Sequence, residues 1–400
     1  MADRPSMKDG LSELFRRTDS GGAVPDPTGP DAPVKGRPYV TTIKVVGIGG
    51  AGTNAVNRMV DSGVKGVEFI AVNTDVQQLE VCDADVKIHI GQEITHGLGG
   101  GANPEVGREA MEVSRDQLKA ALRGADLVFV TAGEGGGTGT GGAPVVAQIA
   151  RELGAVTIAI VTRPFGFEGN RRQRQALEGI DALREVADTV ISIPNDRLLD
   201  VVERNASVVE AFQHADDILR QGVQGVTDLI TVPGLINLDF ADVRTIVKDA
   251  GTALLGIGVA GGENRAQAAA DMAIHSPLLE TTIEGARGLL LNITGGEDLT
   301  LFEVNEAAGV ISEAADDDAN IIFGAVVDEK LKGKISITVV ATGFGDEVRP
   351  AQAPARGPEA RTPAPRPEPR EDRGTPFGPA PRFADKDFDI PSFVNQPEDQ

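Results

Sequence analysis

Short apolar runs alternate with longer amphipathic stretches through most of the chain, and glycine clusters stand where they meet. The run Ile43–Ile48 ends in glycines, and a stretch with one apolar face follows it as far as Ser62 and Gly63. This order is typical of a buried strand, a glycine turn and an amphipathic helix. Further strands are predicted at 67–72, 86–90, 126–130, 155–162 and 189–193. Strands that alternate with helices predict an α/β fold built on a doubly wound, mostly parallel sheet.

A long amphipathic helix is predicted in the middle of the chain, where apolar residues recur at helical spacing from 205 to 224. After it the strand and helix patterns resume, which predicts a second, smaller α/β domain. Its strands are predicted at 252–260, 289–293, 321–327 and 335–340, and its helices at 264–275 and 299–314. The predicted organisation is a larger domain at 39–204, a central helix at 205–230 and a C-terminal domain at 231–345.

Composition changes sharply at both ends. Residues 1–38 are rich in Gly, Pro, Asp and Ser, which predicts a disordered N-terminal arm. Residues 346–384 are rich in proline and predict a disordered linker. The last segment, 385–400, contains a short apolar and acidic patch, and we interpret it as a docking peptide for another protein. The residues predicted to dock are Asp389, Ile390, Pro391 and Phe393.

The charge of the chain argues against several classes of partner. With 38 basic and 60 acidic residues the net charge is −22, so binding to nucleic acid or to an anionic membrane surface is not expected. A single cysteine, Cys82, allows no internal disulfide and fits a reducing compartment. No run of about 18 apolar residues occurs, and the first residues lack the apolar segment of a signal peptide. We therefore expect a cytoplasmic protein without direct membrane insertion.

Three glycine-rich loops carry the candidate chemistry. The first, 47–52, fits G-x-G-x-x-G between a strand and a helix, and Asp75 ends the next strand, as in dinucleotide-binding proteins. The second, 135–142, offers bare backbone N–H groups and two threonine hydroxyls before a helix predicted from Ala143 to Leu153. The third, 97–104, lies between them. Three such loops at one sheet edge favour a triphosphate over a dinucleotide, and the lysine-containing phosphate loop G-x-x-x-x-G-K-[ST] is absent.

A Rossmann-type NAD dehydrogenase is the alternative that the first loop leaves open. The chain shows no catalytic set for it, because the one tyrosine, Tyr39, has no lysine four residues later. The four histidines are scattered and form no metal-ligand cluster with the single cysteine. The two interpretations differ in a simple observation, since a dehydrogenase would bind NAD(H) and not a nucleoside triphosphate.

The segment 135–141, GGGTGTG, resembles the signature of the tubulin/FtsZ superfamily. Other segments resemble the FtsZ family of bacterial cell-division GTPases within it, in order from about 41 to 343: 49–56, 73–75, 97–107, 162–169, 193–196 and 237–242. The resemblance implies a tubulin-like fold, with residues 39–204 as the GTP-binding domain. It also implies GTP and GDP as ligands, and Mg²⁺ held through phosphates and water. It implies a homopolymer that grows head to tail at the mid-cell division ring, and division-ring and membrane-adaptor proteins bound by the C-terminal peptide. A tubulin-like scaffold that binds GTP but hardly hydrolyses it is a further alternative.

The resemblance also implies roles for particular residues. The phosphates and base would lie near Gly50, Ala51, Gly52, Thr53 and Asn54. The phosphates would be wrapped by Gly136, Gly137, Thr138, Gly139 and Thr140. Glu168 would bind the ribose, Arg172 the terminal phosphate, and Asn195, Phe212 and Asp216 the guanine. The residues alone agree in part, because a carboxylate such as Asp216 can accept both guanine N–H groups, which adenine does not supply. Phe212, one turn earlier, can stack on the ring or pack in the core.

Asp239 and Asp242 are the predicted catalytic pair. In the FtsZ family the loop that matches 234–242 comes from the neighbouring subunit, so the resemblance implies that both acids act on that subunit's GTP by polarising the attacking water. The residues alone favour helix capping, because an acid at the cap and another three residues later resembles a capping box.

Overall fold

The computed structural model describes residues 41–200, 206–236 and 238–344. The predicted N-terminal arm, the proline-rich linker and the predicted docking peptide with Asp389, Ile390, Pro391 and Phe393 lie outside the described residues, and so does Asn237.

Ten strands form one sheet in this part of the chain, in the order β3-β2-β1-β4-β5-β6-β7-β10-β8-β9. Their bounds are β1 Ile43–Ile48, β2 Val67–Asn73, β3 Val86–His89, β4 Leu127–Gly133, β5 Val156–Arg163, β6 Thr189–Pro194, β7 Gly251–Gly261, β8 Gly288–Gly295, β9 Asn320–Val327 and β10 Lys334–Thr342. The strands from β3 to β7 pair in parallel, as β8 does with β9, while β10 is antiparallel to β7 and β8. The predicted α/β fold with a mostly parallel sheet is confirmed.

Helices cover both faces of the sheet. Their bounds are α1 Gly49–Asp61, α2 Val76–Glu80, α3 Gln92–Thr95, α4 Pro104–Val113, α5 Arg115–Leu122, α6 Thr138–Glu152, α7 Asn170–Val186, α8 Val208–Thr231, α9 Phe240–Val247, α10 Arg265–Ile274 and α11 Leu301–Glu313. Alternate residues of β1 show the two faces, since Val45 packs in a core with α1, α8 and α9, and Val46 in a core with α4 to α7. A third core lies between α10, α11 and the C-terminal strands.

The long central helix, α8, begins at Val208 and ends at Thr231, so it runs about 36 Å. Ser207 and Glu210 form a capping box at its start, where each side chain accepts a hydrogen bond from the other residue's backbone N–H. Its buried face contacts the same core as α1, which fixes the helix along the sheet. None of the described helices, α8 included, is long and apolar enough to cross a membrane.

Only the first part of the second glycine-rich segment, 135–137, is the loop that the sequence predicted, because α6 begins at Thr138 and not at Ala143. Glycine is a poor helix former, so its density at 135–142 indicated a loop. Packing reverses that preference here. A Cβ atom on Gly139 would lie 2.6 Å from the carbonyl oxygen of Gly133, and one on Gly142 would meet the side chain of Met111. The glycines therefore let the first turns of α6 pack directly on β4 and α4.

Candidate nucleotide-binding site

A cavity of about 320 Å³ opens at the carboxyl ends of the central parallel strands, where open α/β sheets bind their ligands. It is surrounded by residues of β1, β4 and β5, by the segments that follow β4, β5 and β6, and by α1, α6, α7 and α8. Its lining residues are Ile48, Gly49, Gly50, Ala51, Gly133, Glu134, Gly136, Gly137, Thr138, Gly139, Thr162, Pro164, Glu168, Arg172, Asn195, Phe212, Ala215 and Asp216. Most of the predicted site residues are thus brought together in one place.

Two helix N-termini face one end of the cavity. Gly49, with a left-handed φ of 68°, turns the chain from β1 into α1. A Cβ on Gly49 would lie 3.1 Å from the backbone nitrogen of Gly139, so the first turns of α1 and α6 nearly touch. Free backbone N–H groups and the positive ends of two helix dipoles then point into the same space. This end of the cavity is built to hold an anion such as a phosphate.

Four predicted residues do not line the cavity, and three of them support the cradle from behind. The Thr53 hydroxyl donates to the carbonyl oxygen of Gly49 at 2.9 Å and so fixes the turn. Gly52 is buried, and a Cβ there would lie 2.5 Å from the carbonyl oxygen of Thr131. The Thr140 hydroxyl accepts a hydrogen bond from the backbone N–H of Gly135 at 2.8 Å. Asn54 is exposed. Direct contact of these side chains with a ligand remains a prediction.

The mouth of the cavity carries one ion pair. Glu168 ends a short 3₁₀ helix, and its carboxylate accepts the backbone N–H of Phe165 at 2.9 Å. Its other oxygen accepts a hydrogen bond of 2.6 Å from Arg172 in the first turn of α7. Arg172 is half exposed, so its guanidinium is held at the entrance with donors left for a second acceptor. The geometry suits an anion at Arg172, while ribose binding by Glu168 stays a prediction.

The opposite end of the cavity can bind a planar group with N–H donors. Burial raises the pKa of Asp216 to about 6, although the guanidinium of Arg58, 3.4 Å away, acts in the opposite direction. The buried Oδ1 atom of Asn195 has no hydrogen-bond partner among the described residues. Phe212 packs edge-on against Phe165 at 5.4 Å, yet it stays 40% exposed and lines the cavity. A carboxylate, an unpartnered amide oxygen and an aromatic ring together fit a base that donates hydrogen bonds.

Two residues of this site were missed by reasoning from the sequence. Arg58 lies 158 positions from Asp216, and only the packing of α1 against α8 brings them together. Glu134 stands immediately before the glycine signature, and a charged residue after an apolar strand was a signal that the prediction did not use. It is 5% exposed.

The predicted catalytic pair does not lie at the cavity. Asp239 caps α9 by accepting the backbone N–H of Asp242 at 2.9 Å, so capping by Asp239 is confirmed, and both side chains are exposed. At the other end of α9, the carbonyl oxygen of Val247 accepts a hydrogen bond from the hydroxyl of Thr189 at the start of β6. Asn195 follows the opposite end of that strand, so α9 ends at the sheet edge away from the cavity.

The position of Leu238 leads to the same conclusion. Leu238 and Leu229 both lie against Gly324, where added side-chain atoms would meet them at 3.7 and 2.5 Å. Along α8, Leu229 is about 20 Å from Asp216 in the cavity. Asp239, which follows Leu238, therefore belongs to the far end of the molecule.

These features define an α/β protein that binds a nucleotide at the carboxyl edge of a parallel sheet, with an anion cradle at one end and a base site at the other. Family models agree: the Tubulin/FtsZ family GTPase domain matches residues 42–203, and the FtsZ family C-terminal domain matches residues 251–345. The chain belongs to the FtsZ family of the tubulin/FtsZ superfamily, a family of cytoskeletal GTPases that bind GTP and GDP.

Solved structures give the extent of the similarity. FtsZ from M. jannaschii, described as an empty dimer, is 42% identical and covers 85% of this chain and 93% of its own, with a TM-score of 0.74. A point mutant of FtsZ from the same organism is also 42% identical, covers 84% of this chain and 95% of its own, and has a TM-score of 0.74. CetZ1 from Haloferax volcanii, a GDP-bound monomer, is 21% identical over 76% of this chain and 95% of its own, with a TM-score of 0.67. This last likeness shows the fold alone.

Proposed function

We propose that this chain assembles head to tail into filaments and hydrolyses GTP where two subunits meet, and that the filaments form the cell-division ring. One observation carries the proposal, namely that none of the described residues that line the cavity is placed to activate water. The acids that could supply this group lie at the far end of the chain. A neighbouring copy would have to bring them.

The carboxylates that line the described cavity are either paired with a cation or buried away from water. Glu168 accepts hydrogen bonds from Phe165 and Arg172, and Asp216 is paired with Arg58 at the base end. Glu134 is buried, so its carboxyl group is not in contact with bulk water. A general base must reach the attacking water, directly or through one other water. The described part of the cavity offers none.

Asp239 and Asp242 complete the site in our proposal. Both are exposed at one end of the molecule, and the cavity opens at the other. A contact that joins unlike ends of identical subunits repeats without closing, which generates a filament. The acids of one subunit would then polarise a water for in-line attack on the terminal phosphate held by the next. The FtsZ dimer of M. jannaschii gives precedent for self-association in the family.

Within the cavity the proposed roles follow the geometry. The N-terminal turns of α1 and α6, from Gly50 and Gly136 onward, bind the phosphates, and Arg172 binds the terminal one. Asp216 and Asn195 hold the guanine while Phe212 stacks on it. Mg²⁺, bound through phosphates and water, would neutralise charge on the phosphates. We expect the chain to act in the cytoplasm at mid-cell, with division-ring and membrane-adaptor proteins bound by its C-terminal peptide.

The test combines light scattering and phosphate release over a range of protein concentrations with GTP, GDP or NADH. We expect both signals above one threshold concentration and with GTP only. Asp242→Ala should still bind GDP but lose phosphate release, whereas Asp271→Ala, which removes another exposed acid, should behave as the wild type. Phosphate release that is independent of concentration would contradict the shared site, and a response to NADH alone would favour the dehydrogenase.

A second test asks whether the site is shared between subunits. Asp242→Ala keeps an intact cavity but lacks a catalytic acid, whereas Asp216→Ala keeps Asp239 and Asp242 but has a damaged base site. Neither variant is therefore expected to hydrolyse GTP alone. A mixture should recover activity, because an Asp216→Ala subunit can act on the GTP of its Asp242→Ala neighbour. If Asp242→Ala alone keeps full turnover, the acid is not catalytic. If the Asp242→Ala variant assembles and the wild type hardly hydrolyses GTP, a scaffold that binds GTP without turnover is favoured.

A further inference from the structure

The side chain of Glu134 is a carboxyl group buried beneath the glycine signature. Strand β4 alternates between the two faces of the sheet, and Glu134 continues the face of Val128, Val130 and Ala132, which pack against α6 and α7. It is 5% exposed, and neither carboxyl oxygen has a hydrogen-bond partner among the described residues. A carboxylate in such a place would lose its hydration without replacement.

The fold leaves a space for this carboxyl group between α6 and α7. A Cβ on Gly179 in α7 would lie 2.5 Å from the Oε2 atom of Glu134 and 2.5 Å from the methyl carbon of Thr140 in α6. The absence of a side chain at Gly179 therefore provides the room. One turn earlier on the same face of α7, the buried Oε1 atom of Gln175 also has no partner in the described part of the chain. The inner face of α7 therefore has two buried acceptor groups near it, the Glu134 carboxyl and the Gln175 amide oxygen, that no described donor satisfies at hydrogen-bond geometry.

No cation is placed to neutralise a charge on Glu134 in the described residues. On the face of α7 that carries Gly179 the charged residue is Arg172, which is paired with Glu168 at the cavity mouth. On α6 the first titratable group is Arg151, far along the helix and paired with Asp249, and on β5 it is Arg163, paired with Glu280. Burial raises the pKa of Glu134 to about 8, and the neighbouring Thr140 hydroxyl lowers it by less.

We infer that Glu134 is a positioning residue that must remain a neutral carboxylic acid, and that its ionisation opens the contact between the phosphate cradle and α7 and releases nucleotide. Protonated, the group carries no charge into the buried contact and has a hydrogen-bond donor of its own. Ionised, it places an uncompensated negative charge below the segment that binds the phosphates.

The coupling to the cradle is direct. Glu134 is followed by Gly135, whose N–H bonds the hydroxyl of Thr140 in α6, and a Cβ on Gly135 would lie 2.7 Å from the carbonyl oxygen of Arg172 in α7. Hydration or repulsion of a charged carboxylate would therefore displace the start of α6, which lines the cavity, and the turn of α7 that carries Arg172. Both displacements weaken binding of an anionic ligand.

The inference rests on the proposed nucleotide binding, so its test uses GDP affinity, which needs neither assembly nor hydrolysis. A fluorescent GDP analogue would be titrated into the full chain between about pH 6.5 and pH 9.5, for the wild type and for Glu134→Gln, which keeps the shape but cannot ionise. Glu178→Gln serves as the control, because it makes the same change at an exposed position beside Gly179. Titration of the nucleotide itself is common to all variants and cancels in the ratio.

We expect the affinity of the wild type, divided by that of Glu134→Gln, to be constant below about pH 8 and to fall above it, approaching tenfold per pH unit. Glu178→Gln should follow the wild type. A constant ratio across the whole range would overturn the inference. Glu134→Met, which has an apolar side chain of similar length, provides a second variant if Glu134→Gln does not fold. If the GDP affinity of Glu134→Met falls above about pH 8 as steeply as that of the wild type, the inference is also overturned. A wild type that binds GDP at no pH would refute the proposed function as well.

Discussion

Gly141 in the second turn of α6 offers a sharp test of how the glycine signature is used. A Cβ atom there would lie 1.9 Å from the carbonyl oxygen of Pro104 and 2.6 Å from the backbone nitrogen of Arg108, both in α4. These are backbone atoms, so no side-chain rotation can relieve the overlap. The substitution Gly141→Ala therefore has to push α4 and α6 apart.

Two opposing terms set the magnitude of this effect. Replacing glycine with alanine inside a helix normally stabilises it by about 1 kcal/mol. Overpacking of a tight contact costs about 1–3 kcal/mol and more where backbone must move. Because the clash at Gly141 is with backbone on two sides, we expect the second term to prevail and the free energy of unfolding to fall by about 2 kcal/mol. In α11, Gly309 has no neighbouring atom within 4 Å of an added Cβ, so Gly309→Ala should gain about 1 kcal/mol.

Urea unfolding of both variants and the wild type would measure the two changes, with GDP affinity determined in parallel. Gly141→Ala should also weaken GDP binding, because the displaced helix carries Thr138 and Gly139 in the cavity wall. Gly309→Ala should leave affinity unchanged. If Gly141→Ala is as stable as the wild type and binds GDP equally well, the glycines do not serve the close helix contact, and the reasoning is refuted.

Three further predictions concern charged groups. GDP affinity should fall as pH drops through about 6, because protonation removes the acceptor on Asp216, and Asp216→Asn should lower affinity at least tenfold at neutral pH in the same titration. Arg265→Met should lower the free energy of unfolding by about 2 kcal/mol in urea, since it removes the partner of Asp298 and Glu303, while Arg265→Lys should lose less. The free energy of unfolding of Glu134→Gln, relative to that of the wild type, should rise by about 1 kcal/mol per pH unit between pH 5 and pH 8. The reason is that the raised pKa makes the native wild type bind a proton that the unfolded chain releases. An equal pH dependence of the wild type and the variant would contradict this.

Much of the fold could be predicted from hydrophobic patterning because the strands are short, apolar and buried on both faces. Strand β7 was predicted at 252–260 and observed at Gly251–Gly261, and β1 was predicted within its observed bounds. The antiparallel direction of β10 could not be read from the pattern, because an apolar strand buried on both faces looks the same in either direction. The division into two domains remains a prediction, since the described strands form a single sheet.

The start of α6 was predicted wrongly for a different physical reason. Local propensity counts each glycine against a helix, but the contacts that require glycine here come from residues distant in sequence, such as Pro104 and Met111. The same limit applies to the pair of Arg58 and Asp216, which only the packed structure brings together. Residues within one segment, such as the glycines that line the cavity, were accessible from the sequence alone. Partners across segments were not.

The cavity combines two buried carboxyl groups whose requirements are opposite. Asp216 has to be ionised to accept N–H donors from a base, and the guanidinium of Arg58 at 3.4 Å keeps the charged form accessible above about pH 6. Glu134 lies beneath the phosphate end, where the described residues offer no cation to pair with it, so its neutral form is favoured up to about pH 8. A negative charge strengthens nucleotide binding at the end of the cavity that receives the N–H donors of the base, and weakens it at the end that receives the phosphates. Affinity for a guanine nucleotide should therefore be greatest between these two values, because Asp216 is then ionised and Glu134 still holds its proton.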